Sequence, residues 1–111
     1  MSVLDRRFAA LADPTRRQIL DRVAAGPVSV SVLAEPLHMT LPGVLKHVRV
    51  LEAAQLVVTA KVGRNRMCVL GPQPLDDVAE WVSWRRRHWS TLLDRFAGHL
   101  AERAERAEPA P

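Results

Sequence analysis

Between Thr40 and Leu70 the chain gathers Lys46, Arg49, Lys61, Arg64 and Arg66 against a single acidic residue, Glu52. That local excess of four positive charges equals the formal net charge of the whole 111-residue chain. A guanidinium presents paired N–H donors that match phosphate oxygens, and an ammonium acts as a point charge. Cations concentrated in one stretch therefore suit contact with a polyanion better than bond-breaking chemistry. Their spacing sharpens the reading. Lys46 and Arg49 are three residues apart, neighbours on one helical face, whereas Arg64 and Arg66 sit at the tip of a hairpin with a glycine-containing turn.

Catalytic and metal chemistry fare worse. None of His38, His47, His88 and His99 has a nucleophile and an acidic partner at motif spacing, and no glycine-rich phosphate loop is present. The lone Cys68 can form no internal disulfide and cannot by itself hold zinc; in a strand it reads as a small packed residue rather than a redox sensor. Asp77, His88 and His99 recur at intervals of eleven residues. Neighbours in that series lie ~16 Å apart along one helix and cannot share an ion within it. A solvated stripe and a ligand pair across two copies are the readings left open. No enzyme activity, metal or cofactor is expected.

The elements that must position the cations follow from length and periodicity. A chain of this size buries roughly 65% of its unfolded surface, and 48% apolar residues suffice for one core. No run approaches the ~18 apolar residues of a membrane helix, so no membrane partner is expected. The first fifteen residues mix charged and apolar groups without a signal-peptide core, which points to a cytoplasmic location. Val3, Phe8, Leu11 and Ala12 suggest a helix over about 2–11. Asp13 caps a second helix that has Pro14 at its first position and Ile19, Leu20 and Val23 facing inward, before Gly26-Pro27 ends it near Ala25.

Val28 to Val32 alternates as a very short strand would. Ser31, or less favourably Ser29, then caps a third helix that Pro36 keeps short, ending near Leu37. His38-Met39 is a turn and Thr40 the cap of a fourth helix to about Ala54, with Val44, Val48 and Leu51 on its inner face. Two short helices around a tight turn, the second basic on its outer face, make a helix-turn-helix. Leu56–Val62 and Arg66–Leu70 form a hairpin about Gly63-Arg64-Asn65. Pro72 and Pro74 interrupt, and a long helix from Leu75 to about Glu108 carries the stripe Val78, Trp81, Val82, Trp89, Leu92, Leu93, Phe96 and Leu100. The fold expected is mainly α with a small β-hairpin, a winged helix-turn-helix of order α-α-(β)-α-α-β-β-α. Residues 1–97 form the domain, and 98–111 the helix end and a frayed tail bearing Pro109 and Pro111.

The runs Ala9-Ala10-Leu11-Ala12-Asp13-Pro14-Thr15-Arg16-Arg17-Gln18-Ile19-Leu20, Leu33-Ala34-Glu35, Met39 through Glu52, and Lys61-Val62-Gly63-Arg64 together resemble the ArsR/SmtB family of bacterial transcriptional repressors. The resemblance covers about residues 5–95. It implies a homodimer paired through the first and last helices that occupies an operator in double-stranded DNA until an inducer of unidentified small-molecule chemistry releases it. In that frame the interface with DNA comprises Thr40, Leu41, Pro42, Gly43, Leu45, Lys46, His47, Arg49, Lys61, Arg64 and Arg66. Lys46 reaches guanine O6 and N7, Leu45 meets a thymine methyl, and Thr40 with the free amides of the helix start holds a phosphate. For His47 a phosphate contact and a packed, hydrogen-bonded ring are both open. Arg16 and Arg17 are expected to pair with Asp13 and Asp21 or to support the fold. Val3, Phe8, Trp81, Trp89, Leu92, Leu93 and Phe96 would form the dimer interface.

Three positions depart from the family pattern. Leu45 stands where a small polar residue is usual, and Gln55 replaces the glycine that ends the recognition helix. The residues matching its metal sites here are Ser29, Ser31, Ala79 and Ser90, which are not thiolate or imidazole ligands. The resemblance thus points to a member that lacks the usual metal-sensing ligands. A rival remains: a winged helix that docks proteins, for which the basic outer face and wing would be incidental. A second rival is a metal or thiol sensor with a non-standard site.

Overall fold

Ser2 and Asp5 set where the first helix begins. The Ser2 hydroxyl accepts from the Asp5 N–H and the Asp5 carboxylate accepts from the Ser2 N–H, a reciprocal cap at the start of α1 (Val3–Leu11). Asp13 caps α2 (Pro14–Ala24) from one side only, accepting from the Thr15 and Arg16 amides, while Pro14 fills a position whose N–H would have had no helical partner. These backbone N–H groups, Arg16's first, hold the Asp13 carboxyl below its ordinary value. The computed structural model describes residues 1–107; Glu108, the expected end of the last helix, and the terminal prolines Pro109 and Pro111 lie outside the described residues.

β1 (Val28–Ser29) is only two residues long because α3 (Val30–Leu33) starts at once. The N-cap position falls to Ser29, not Ser31, and the Ser29 side chain makes no cap; its hydroxyl lies 2.9 Å from that of Ser31 instead. Regular helix stops at Leu33, short of Leu37, since Pro36 has no N–H for the Val32 carbonyl and its ring crowds that oxygen. Leu37, His38 and Met39 then donate back to Leu33, Glu35 and Ala34, and His38 takes a left-handed φ of 53° to turn the chain. Thr40 accepts from the Gly43 amide and opens α4 (Leu41–Ala53).

β2 (Val57–Val62) and β3 (Asn65–Leu70) form an antiparallel hairpin with Val57 opposite Leu70 and Val62 opposite Asn65. The turn is Gly63-Arg64 alone, one residue tighter than Gly63-Arg64-Asn65. Gly63 supplies the positive φ of 62° that a two-residue hairpin needs at its first position. β1 adds to the far side of β3, giving the sheet order β1-β3-β2.

Among the described residues, 1–78 form one compact unit and those from Ala79 a second. In the first, the core consists of Ala10, Ile19, Leu20, Val23, Val30, Leu33, Val44, Val48, Leu51, Ala54, Leu56, Val57 and Cys68. Periodicity gives the inward faces of α2 and α4 correctly. For α1 it does not: the fully buried positions are Arg7 and Ala10, while Phe8 and Leu11 are half-buried and Ala12 is exposed. α5 (Asp76–Ala107) begins one residue after Leu75, runs through Gly98 and buries no residue fully.

Candidate nucleic-acid interface

α4 separates its faces as a helix laid on a core must. Val44, Val48 and Leu51 are buried; Leu41, Pro42, Lys46 and Arg49 are exposed; Gly43, Leu45 and His47 sit at the boundary. Gly43 is there for space. A Cβ on it would lie 3.1 Å from Met39 Cε and 3.3 Å from Thr40 Oγ1, so a side chain would push against the turn and the cap. Exposed backbone at the start of a capped helix and cations along the next two turns form a surface suited to a groove edged by phosphates.

The wing supplies the second part. Lys61, Arg64 and Arg66 are exposed, and Arg64 stands in the turn itself. Arg64 and Arg66 also line a groove of about 240 Å³, together with Ser31, Leu41 and Leu45 at the starts of α3 and α4. Arg66 is tied down at the wing's root: its Nη1 donates to Thr59 Oγ1 at 2.9 Å, and that hydroxyl donates to Glu52 Oε2 at 2.6 Å. The Thr59 N–H also donates to Glu52 Oε2, at 3.1 Å.

His47 takes the packed option in part: it is half-buried, with Nδ1 3.4 Å from Arg16 Nη1. Arg16 and Arg17 support the fold, but through carbonyls more than carboxylates. Arg16 donates to Ala10 and Ala9 and lies 3.8 Å from Asp13, and Arg17 donates to Leu11, so the two cover the free carbonyl end of α1.

Sequence reasoning misses Arg7. This buried guanidinium donates to the Ala54 carbonyl at 3.0 Å and the Gln55 carbonyl at 3.3 Å, closing the C-terminus of α4, and pairs with Asp77 Oδ1 at 2.7 Å. Asp77 therefore belongs to this pair and not to a solvated stripe with His88 and His99. The Arg7 hydrogen bond is the main reason its carboxyl lies below the ordinary value of 3.8. Gln55 adopts the left-handed φ of 57° that glycine would supply at a helix end, and Leu56 N–H donates back to the Leu51 carbonyl. Gly71 packs on the same point, where a Cβ would meet the Gln55 oxygen at 2.6 Å.

Cys68, wholly buried opposite Thr59 and Val28, has its thiol pushed up to about 11 by burial first and by the Glu52 carboxylate second. Such a thiol is a packing group and a poor nucleophile at neutral pH.

On α1, Val3 and Phe8 are half-buried. On α5, Trp81 is partly covered, with the Arg85 guanidinium 4.1 Å above its ring, and Trp84 stacks on His88 at 4.8 Å. Trp89, Leu92, Leu93, Phe96 and Leu100 are about half or more exposed, a run of apolar side chains that the protomer leaves in water. Among the described residues no helix is long and apolar enough to cross a membrane.

Comparison with known proteins agrees with this geometry. Residues 11–60 match a family described as a helix-turn-helix domain. The chain is similar to the HTH-type transcriptional regulator Rv2034 of Mycobacterium tuberculosis, at 44% identity over 93 residues and 84% of each chain. It is also similar to the transcriptional repressor SdpR of Bacillus subtilis, at 29% identity over 75 residues, 68% of this chain and 83% of that one. Among solved structures, the ArsR family transcriptional regulator RHA00566 superimposes with a TM-score of 0.75 at 40% identity, covering 80% of this chain and 98% of its own. A capped, basic-faced second helix with a β-hairpin beside it defines a winged helix-turn-helix protein. The chain belongs to the ArsR family of such proteins, and it is a DNA-binding transcriptional regulator, not an enzyme.

Proposed function

We propose that the chain is a cytoplasmic repressor that binds an inverted-repeat operator as a homodimer and does not respond to metals. The observation that carries this reading is the outer face of α4. Lys46 and Arg49 project beside Pro42, Gly43 and Leu45, with the Thr40 cap at the end that enters the groove. Lys46 reads guanine, Leu45 packs on a thymine methyl, and Thr40 and the Leu41 end of the helix hold phosphate. Arg64, with Lys61 and Arg66 behind it, follows the neighbouring backbone or a narrow minor groove. His47 braces α4 against Arg16 rather than touching DNA.

Dimerisation is supported by the exposed apolar run Trp89, Leu92, Leu93 and Phe96 on α5; Trp81 on the same helix, and Val3 and Phe8 on α1, complete the proposed contact. Pairing two copies across a two-fold axis places two recognition helices about one or two helical turns of DNA apart. Metal blindness is supported by donor chemistry: the Ser29 and Ser31 hydroxyls bind each other, and oxygen donors of this kind do not replace thiolates for soft ions. The inducer is then an organic molecule or a partner other than a metal.

Footprinting on the DNA upstream of the chain's own gene tests the proposal. A protected inverted repeat, unchanged by low-micromolar zinc, cadmium or arsenite, is the expected result; release of the operator by any of these ions overturns the metal-blind assignment.

A further inference from the structure

Glu52 is the one acidic residue in the cationic stretch from Thr40 to Leu70, and on charge alone it opposes DNA binding. Its contacts give it a different task. One carboxylate oxygen, Oε2, accepts both from the backbone N–H of Thr59, at 3.1 Å, and from its hydroxyl, at 2.6 Å. Thr59 lies on β2, an edge strand of the β1-β3-β2 sheet, three residues before the end of the strand at the wing turn. The same hydroxyl accepts from Arg66 across the hairpin, so its proton is committed to Glu52 and its lone pair to Arg66. A single chain of hydrogen bonds thus runs from the last turn of the recognition helix, through the root of β2, to a cation of β3. Every other group in it is neutral or positive, and the short O–H···O⁻ contact is of the charge-assisted kind.

We infer that Glu52 is a positioning residue for DNA binding: acting through Thr59, it fixes the wing relative to α4 so that Arg64 reaches the duplex while Lys46 and Arg49 occupy the groove. The inference rests on the proposed use of the wing. Its value to the molecule is geometric. A hairpin joined to the core only at its base would otherwise sweep through many orientations, and the ordering of a swinging cation is a cost that binding has to cover.

The test separates charge from position. A labelled 40-base-pair duplex of mixed sequence is titrated with Glu52→Ala, Glu52→Gln and Thr59→Val, each with and without Arg64→Ala, at several salt concentrations. Glu52→Ala and Glu52→Gln remove the same negative charge, but the glutamine retains an oxygen to accept from Thr59. Glu52→Ala should weaken binding about three- to tenfold, the loss expected for one positioned hydrogen-bond pair, and Glu52→Gln should tighten it about twofold. Thr59→Val leaves the charge untouched, suits a strand, and should weaken binding in the same direction as Glu52→Ala. Arg64→Ala should cost less in the Glu52→Ala background than in the wild type, with the salt slope already about one unit shallower, a coupling that loss of stability alone does not produce.

If Glu52→Ala binds as tightly as Glu52→Gln and the Arg64→Ala effect is additive, Glu52 positions nothing and the inference is overturned. If Arg64→Ala by itself changes nothing, the wing reading fails and takes this inference with it, which the wild-type arm reveals separately.

Discussion

Lys46 stands in the second turn of α4 on the face opposite Val44, Val48 and Leu51, where no carboxylate among the described residues pairs with its ammonium. Its proposed partner is a guanine edge, so Lys46→Ala should cost about 1–3 kcal/mol of discrimination per half-site while leaving binding to unrelated duplexes much less affected. Competition titrations of operator against mixed-sequence DNA measure this, and equal losses on both would move the reading register elsewhere on α4. Much of this face is legible from sequence, because the Thr40-Leu41-Pro42 start and the inner triplet fix the phase of the helix. Arg66 is less legible. Its charge and place beside a turn suggest a free cation, but Thr59 lies diagonally across the hairpin and holds it, and only the strand register brings the two together.

The ends of the helices are held by arginines that come from other helices. Arg7 closes α4, and Arg16 and Arg17 close α1. Replacing Arg7 by alanine leaves the Ala54 and Gln55 carbonyls without their donor and should destabilise the fold by about 1–3 kcal/mol in urea unfolding. Water takes over much of the Asp77 charge, since that side chain is 37% exposed. Because the native Asp77 carboxyl lies below its ordinary value of 3.8, the pair adds stability above that value and loses it as pH falls through the lower native one. Urea midpoints of wild type and Asp77→Asn should therefore differ at neutral pH and converge in acid. Gly71→Ala should cost about 1–3 kcal/mol by forcing a methyl group into the Gln55 carbonyl. Hydrophobic periodicity cannot reveal such contacts. In α1 it selects Phe8 and Leu11 over Arg7, because a buried charge is recognisable only once the carbonyls and carboxylate around it are in place.

For the molecule as a whole, the apolar run on α5 sets the expected state in solution. Leu93→Glu places a charge in the middle of that run and should convert a dimer into monomers in sedimentation experiments. The salt dependence should change with it. A dimer neutralising six to eight phosphates gives a slope of roughly −5 to −7 in log K against log salt, and a monomer about half of that. Unchanged mass and slope would show that another surface pairs the copies. The sequence pattern makes the stripe visible but not its exposure, since periodicity reports that a face is apolar and not what covers it. The hairpin has a further consequence. Val57 and Cys68 are wholly buried at its base, and every residue from Ala60 through Arg66 is exposed. It is a cantilever built into the core at one end and braced near that end by Glu52 through Thr59, so whatever load Arg64 takes at the free tip is borne by the buried base and passed to the helix beside it.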